Sequence, residues 1–197
     1  INTCMMVTLS GAAVSDALDD GRVVSGVGGQ YNFVAMAHEL SDAQSILMLR
    51  SWRMKEGKPA SNIVPNYAHC TIPRHLRDIV ITEYGIAELR GKTDAEVISA
   101  LINISDSRFQ PELCEWAQQH GKLAPDYQIP PQYRNNTPEQ LKTKLAPFRN
   151  LLPDFPFGHD FTDDELVILT ALQKLKASSS HPLELLKTVA SALLDDR

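Results

Sequence analysis

The sequence predicts an α/β fold: an open, largely parallel sheet with flanking helices, followed by an all-helical extension. Three observations carry that prediction. Short apolar runs of strand length alternate with helical patterns over residues 1–123. A proline-rich stretch with Pro125, Pro130 and Pro131 interrupts the alternation over residues 124–136. Beyond it, only helical patterns follow. We therefore expect a first domain over residues 1–123, a Pro-rich linker over 124–136 and a helical extension over 137–197.

In chain order, residues 4–9 are apolar and fit a strand. Asp19-Asp20-Gly21 is a turn signal, and residues 22–25 resume extended chain, so a hairpin or tight return is expected. Gly26-Val27-Gly28-Gly29 forms a glycine-rich loop. After it, Phe33, Met36, Ala37 and Leu40 fall at the i, i+3, i+4, i+7 spacing of one helix face. Residues 45–49 and 78–82 are short apolar runs suited to buried strands. Thr93-Asp94-Ala95-Glu96 is a capping box that opens a helix with Val97, Ile98, Leu101 and Ile102 on one face. A further helix starts at Pro111 and stops at Gly121. In the extension, Thr137-Pro138-Glu139-Gln140 and Thr162-Asp163-Asp164-Glu165 read as boxes, the second before Ile168, Leu169, Leu172 and Leu175. Ser178-Ser179-Ser180 breaks the chain, and Pro182 restarts a helix with Leu186, Val189 and Leu193. The apolar faces of these helices need cover from the first domain, from each other or from a partner subunit.

Composition narrows the class. Of 197 residues, 43% are hydrophobic and 22% charged, as in a globular chain rather than a disordered one. No apolar run approaches the ~20 residues of a membrane-spanning helix, so no membrane is expected. A net charge of −5 without a long basic run argues against nucleic acid. Cys4, Cys70 and Cys114 are widely spaced and odd in number; that is no disulfide framework and suits a reducing, cytoplasmic compartment. Polar Asn2 and Thr3, with no basic region before an apolar one, do not read as a signal peptide.

The glycine loop is the first candidate for chemistry. Glycine lets the backbone approach a ligand, and amides at a helix start favour an anion or a developing oxyanion. It is not a dinucleotide fingerprint, since the third glycine would fall at Tyr31, and no Gly-Lys-Ser/Thr makes a P-loop. Spacing alone leaves a tight turn and a ligand loop equally open. His69, Cys70 and His75 match no zinc spacing, so hydrogen-bonded loop residues and no metal are expected. His38 reads as a solvated or capping residue, and Cys4 and Cys70 as inert thiols. Arg50, Arg53, Lys55 and Lys58 cluster after an apolar strand, where cations can hold phosphates or simply be solvated. Arg74 and Arg77 pose the same choice. Glu83 ends the 78–82 strand, either as a catalytic carboxylate or as an acceptor for loop backbone.

Several stretches together resemble one family. Ile1-Asn2-Thr3 and Val24-Ser25-Gly26-Val27-Gly28-Gly29-Gln30-Tyr31-Asn32-Phe33 are similar to the C-terminal domain of the acetyl-CoA hydrolase/transferase family. So are Ser61-Asn62-Ile63-Val64-Pro65, the run from Ile79-Val80-Ile81-Thr82-Glu83 through Leu89-Arg90-Gly91-Lys92, and Asp106-Ser107-Arg108-Phe109. The order holds over residues 1–123, and the helical tail lies outside the resemblance.

The resemblance implies a CoA-transferase-like half whose whole enzyme moves CoA between carboxylic acids, or hydrolyses acetyl-CoA. It works through a mixed anhydride and a glutamyl-CoA thioester. It implies backbone oxyanion donors at Gly28 and Gly29, and CoA contacts at Asn2, Gly28, Gly29, Gln30 and Arg53. Coenzyme A or acyl-CoA is then substrate, with no covalently bound cofactor, and a carboxylic acid is the acceptor. The nucleophilic glutamate of such enzymes lies upstream of Ile1, so a fragment inactive alone is expected, with an N-terminal half of the same protein as partner and a homo-oligomer as a compatible state. Asn32 stands where the family commonly has aspartate. The alternative is a non-catalytic acyl-CoA-binding or assembly module of a larger protein; a sugar-phosphate isomerase of related fold is a third reading.

Overall fold

A computed structural model describes residues 1–153 and 158–178. The expected helix from Pro182 lies outside the described residues. The chain divides into two compact units, Ile1–Pro147 and Phe148–Arg197.

The extended run expected over residues 4–9 starts earlier and splits. Strands β1 (Asn2–Thr3) and β2 (Met6–Thr8) belong to different sheets. The cause is local. The Cys4 amide donates to the Met48 carbonyl at 3.0 Å, and the next amide, Met5, donates to the Val14 carbonyl at 2.9 Å. An apolar pattern of period two carries no mark of a change of hydrogen-bonding neighbour between consecutive residues. Strand β3 (Ala13–Val14) pairs antiparallel with β2. The turn at Asp19-Asp20-Gly21 forms as expected: Ala17 and Val23 bridge antiparallel, with Gly21 at φ +83°.

Helix α1 (Gln30–Glu39) follows the glycine loop, and strand β4 (Ile46–Met48) returns beside β1. The cation cluster then proves to be a hairpin, β5 (Trp52–Lys55) and β6 (Lys58–Ser61). Its turn residues Glu56 and Gly57 both have positive φ, at 52° and 75°, the type I′ geometry that suits strand twist. Strand β7 (Ile63–Val64) pairs parallel with β2, giving a small sheet of order β3-β2-β7. A 3₁₀ turn (Arg74–Leu76) leads into β8 (Ile79–Thr82) and β9 (Gly85–Glu88).

The main sheet has the order β1-β4-β8-β9. Strands β1, β4 and β8 are parallel, registered Asn2 with Leu47 and Ile46 with Ile79, and β9 joins antiparallel. This is the α/β, largely parallel class the sequence predicts.

Helices α2 (Asp94–Asn103) and α3 (Gln110–Gln119) supply most of the helical core. Both halves of the Thr93–Glu96 capping box are present, and Val97, Ile98, Leu101 and Ile102 are buried. Burying each such side chain contributes about 1.5–3 kcal/mol relative to leaving it in water. Helix α1 behaves differently. Its apolar stripe is real, but Phe33 (64% exposed), Met36 (59%) and Leu40 (63%) face outward, while Val34 and Gln30 point into the core.

Residues 124–136 run as a strap fastened by side chains. Gln118 Nε2 donates to the carbonyls of Ala124, Pro125 and Tyr127, and Gln110 Nε2 donates to that of Tyr133. Helix α4 (Pro138–Leu145) starts at Thr137, whose Oγ1 accepts from the Gln140 amide; no return bond from the Gln140 side chain accompanies it. In the second unit, α5 (Asp163–Ser178) opens with both halves of its Thr162–Glu165 box. Among the described residues, no helix is long and apolar enough to cross a membrane.

One buried polar network joins three connections of the first unit. The Asp106 carboxylate, fully buried, accepts from the Arg108 amide and guanidinium and from the Tyr84 hydroxyl at 2.8–3.0 Å. Arg108 lies 4.4 Å over the Trp52 ring. Burial pushes the Asp106 carboxyl up, but the hydrogen bonds from Arg108 and Tyr84 outweigh it and hold the group below the usual carboxylate range. Burial and the Asp106 carboxylate together push the Tyr84 hydroxyl well up.

Two outcomes follow. Asp106→Ala strands a buried hydroxyl and an amide, and should lower unfolding free energy by about 2–4 kcal/mol in a urea titration. A carboxyl held low in the fold binds fewer protons there than in the unfolded chain. Its stabilisation is therefore full above the ordinary carboxylate range and is lost as pH falls from about 4 downward. Asp106→Asn should flatten that acid limb in urea midpoints measured across pH.

Candidate functional site

The glycine loop is placed by its far end. Gln30, the first residue of α1, is 7% exposed, and its Nε2 donates to the Thr3 carbonyl of β1 at 2.8 Å. The helix start is thereby pinned to the sheet, and residues 21–29 before it are all exposed. Gly28 adopts φ +59°, which L side chains rarely take, and a Cβ there would meet nothing within 4 Å. A Cβ at Gly29 would stand 2.9 Å from the exposed Phe33 ring, which would have to swing aside. Among the described residues, the amides of Val27, Gly28 and Gly29 donate to no carbonyl or side chain. Unpaired amides at a helix start, with open space beside them, can receive an anion.

The other sequence candidates fall into different places. Asn2 is half-buried on β1 and lines a depression of about 280 Å³ with Phe33 and Ala37. The Arg53 guanidinium donates to the Asn62 side chain and to the Ser61 carbonyl, within its own hairpin. The Gln30 side chain is not on the loop surface at all; it is the anchor. A polar residue at a helix start reads as exposed from sequence, and only the nearby Thr3 carbonyl turns it inward.

Glu83 is occupied structurally. Its carboxylate accepts from the Ser51 amide at 2.8 Å and the Ser51 hydroxyl at 2.9 Å, as an acceptor for loop backbone would. His69 Nε2 lies 2.9 Å from Asp16, which also accepts from Thr71; those two bonds, Thr71 first, hold the Asp16 carboxyl low. Among the described residues no group of His, Cys, Asp and Glu side chains is placed to hold a metal ion. Burial pushes the Cys4 thiol up to about 12 and raises Cys70 and Cys114, so none is primed as a thiolate.

Of the cation cluster flagged after an apolar strand, Arg50 stands apart from the hairpin, at the carboxyl ends of β1, β4 and β8. A cleft of about 470 Å³ opens there, lined by Thr3, Cys4, Met48, Arg50, Ile81 and Glu83. Among the described residues the Arg50 guanidinium makes no hydrogen bond or ion pair, so it faces this cleft as a free cation. Thr3 links cleft and loop: it lines the first and anchors the second through Gln30. The general rule that ligands of open α/β sheets gather at strand carboxyl ends pointed to Arg50; the cleft's other lining residues gave no signal of their own.

A largely parallel sheet with flanking helices and a glycine turn before its first helix defines an α/β module of the CoA-transferase-like class. Residues 1–117 match the sequence profile of the acetyl-CoA hydrolase/transferase C-terminal domain, and the chain belongs to that family. It is 36% identical over 121 residues to a probable butyrate:acetyl-CoA coenzyme A-transferase of Syntrophomonas wolfei, covering 60% of this chain and 27% of that protein. It is 38% identical over 116 residues to the 4-hydroxybutyrate coenzyme A transferase of Clostridium kluyveri, covering 57% and 26%. An acetyl-CoA hydrolase of Candida albicans is 33% identical over 121 residues, covering 59% and 22%. The chain thus spans about a quarter of the length of these relatives. RipA from Yersinia pestis superposes with a TM-score of 0.52 at 25% identity, over 61% of this chain and 26% of that one.

The Glu83 assignment has a direct check. Glu83→Ala should cost about 1–3 kcal/mol in urea unfolding by stripping the Ser51 amide and hydroxyl of their acceptor.

Proposed function

We propose that this chain forms one wall of the active site of an acyl-CoA transferase or acetyl-CoA hydrolase, with Gly28 and Gly29 as backbone donors to the thioester oxygen. The observation that carries the reading is the set of unpaired, exposed amides at Val27, Gly28 and Gly29. Attack on a thioester carbonyl puts negative charge on its oxygen, and fixed N–H donors aimed at that charge stabilise the transition state. Removing one such donor costs roughly 100- to 1,000-fold in rate in known oxyanion holes.

In this reading the nucleophile is a glutamate carboxylate on another part of the protein. It forms a mixed anhydride with release of CoA thiolate, which then attacks the glutamyl carbonyl of the anhydride, expelling the acyl group as its carboxylate and giving the glutamyl-CoA thioester. An acceptor carboxylate or water resolves that thioester. CoA is substrate throughout, not a resident cofactor. Asn2 and Arg53 are assigned to CoA contact from the family resemblance. Gln30 acts through the loop it anchors. Two features support an N-terminal half of the same protein as partner: β1 is an edge strand, and the exposed Phe33, Met36 and Leu40 present an apolar face beside it. The free thiols of Cys4, Cys70 and Cys114 support a cytoplasmic setting.

Calorimetric titration of acetyl-CoA into the chain tests the loop. Gly28→Val, which fills the open space and strains a left-handed φ, should weaken binding at least about tenfold with little change in melting temperature. Equal binding by wild type and variant would remove the loop from the site.

A further inference from the structure

A second concave site lies at the other end of α1. A cleft of about 410 Å³ is lined by His38 of α1, Arg74 and His75 of the 3₁₀ turn, Arg77 after it, and Arg90 beyond β9. It sits at the amino end of β8, whereas the glycine loop precedes the first turn of α1. From Gln30 to His38 the helix advances roughly 12 Å at 1.5 Å per residue.

Three guanidinium groups from two segments, the 3₁₀ turn with its cap and the turn after β9, converge there, and the acids that face them hold them in place. Asp94 accepts from Arg74 and from Arg77, each at 3.1 Å. Asp78 accepts from Arg90 at 2.7 Å and from the Ser45 amide at 2.6 Å. The remaining bonds go to carbonyls: Arg77 donates to Ser10 and Lys92, and Arg90 to Ala43. Three arginines against two aspartates leave a net positive charge before either histidine is counted. Donors are left over as well. Arg74 uses only Nη1, and neither Arg77 nor Arg90 uses Nε.

The histidines add to this. His38 Nδ1 donates to the Val34 carbonyl at 2.9 Å, and its Nε2 is buried with no partner. Among the described residues, His75 also makes no hydrogen bond or ion pair.

We propose that this cleft binds the phosphate groups of a small metabolite, as a phosphomonoester or diphosphate. A phosphate offers three or more acceptor oxygens, enough to bridge the three guanidinium forks, where a carboxylate offers two. The carboxylates behind the arginines fix the forks before the ligand arrives, so little side-chain freedom is lost on binding. The phosphate end of CoA and a free nucleotide carry the same chemistry. The proposal does not depend on the role of Gly28 and Gly29.

Calorimetric titration of the full chain with inorganic pyrophosphate tests it, with ring-proton NMR of His38 and His75 as a second readout. Saturable binding is expected, with shifts of both rings. Arg74→Gln leaves Asp94 bonded to Arg77 and should weaken binding roughly tenfold at unchanged melting temperature. Arg74→Gln with His75→Gln should weaken it further, and Lys58→Gln in the distant hairpin should not. Gly28→Val should leave pyrophosphate binding intact, which separates this site from the loop. Absence of pyrophosphate binding at millimolar concentration, or equal binding by wild type and the double variant, overturns the proposal. Competition by CoA identifies CoA as the source of the phosphate, and independent binding of CoA and ADP identifies a free nucleotide; either supports the site.

Discussion

The hydrogen bond from Gln30 Nε2 to the Thr3 carbonyl sets where the first helix begins and, with it, which way the glycine amides point. Without that anchor, residues 26–29 would be an exposed loop beyond the last ordered contacts, those of Val24 and Ser25 with the Asp16 and Ser15 carbonyls. Thr3 is itself held at the edge of the main sheet, one residue before the chain leaves that sheet for the next. The loop, the sheet edge and the strand-end cleft therefore share one residue. The cost of burying Gln30 is visible: its Oε1 is buried with no hydrogen-bond partner. Retaining a half-satisfied amide there makes sense only if the position of the loop matters more than the stability lost.

Buried or half-buried carboxylates stabilise the other ends of the sheet. At the amino end of β8, Asp78 ties β4 to the turn after β9 through the Ser45 amide and Arg90. At the carboxyl end, Glu83 holds Ser51, and Asp106 gathers Tyr84 and Arg108, which in turn covers Trp52 of the hairpin. Each carboxylate accepts main-chain as well as side-chain donors. That multiplicity keeps a desolvated charge tolerable, since its hydrogen bonds offset the burial penalty. The residues that make the family stretches around Glu83 and Asp106 recognisable are thus mostly framework. On the proposed reading, chemistry is left to backbone groups at the glycine loop.

What was legible in the sequence was what is local. The Thr93–Glu96 box, the Gly21 turn and the runs at 45–49 and 78–82 were readable because caps, turns and pleats depend on near neighbours. The change of sheet at Cys4 was not, because it depends on carbonyls at Val14 and Met48. The hairpin over residues 52–61 was also missed: its charges suggested a ligand loop, while the stronger local signal was Gly57 after Glu56. Candidate site residues divided the same way. The loop itself was singled out from its glycines and the family resemblance. The inward turn of Gln30, the internal engagement of Arg53 and the cleft with Arg50 depended on tertiary neighbours that no spacing encodes.

The exposure of the glycine amides bears on how the acyl-CoA reading must work. Two unit charges 4 Å apart interact by about 1 kcal/mol in water and about 4 kcal/mol at the effective dielectric near a protein surface. Amide dipoles that face open solvent therefore stabilise an oxyanion weakly, because water does the same with little cost. Their advantage appears when a second surface closes over them and the thioester, excluding water while the donors stay fixed. The same unit presents Phe33, Met36 and Leu40 on the helix that follows the loop, beside the open edge of β1. A surface covering that apolar face would enclose the amides in the same act. The outward stripe on α1 and the free amides at its start are then two halves of one requirement: the site gains catalytic strength only on assembly.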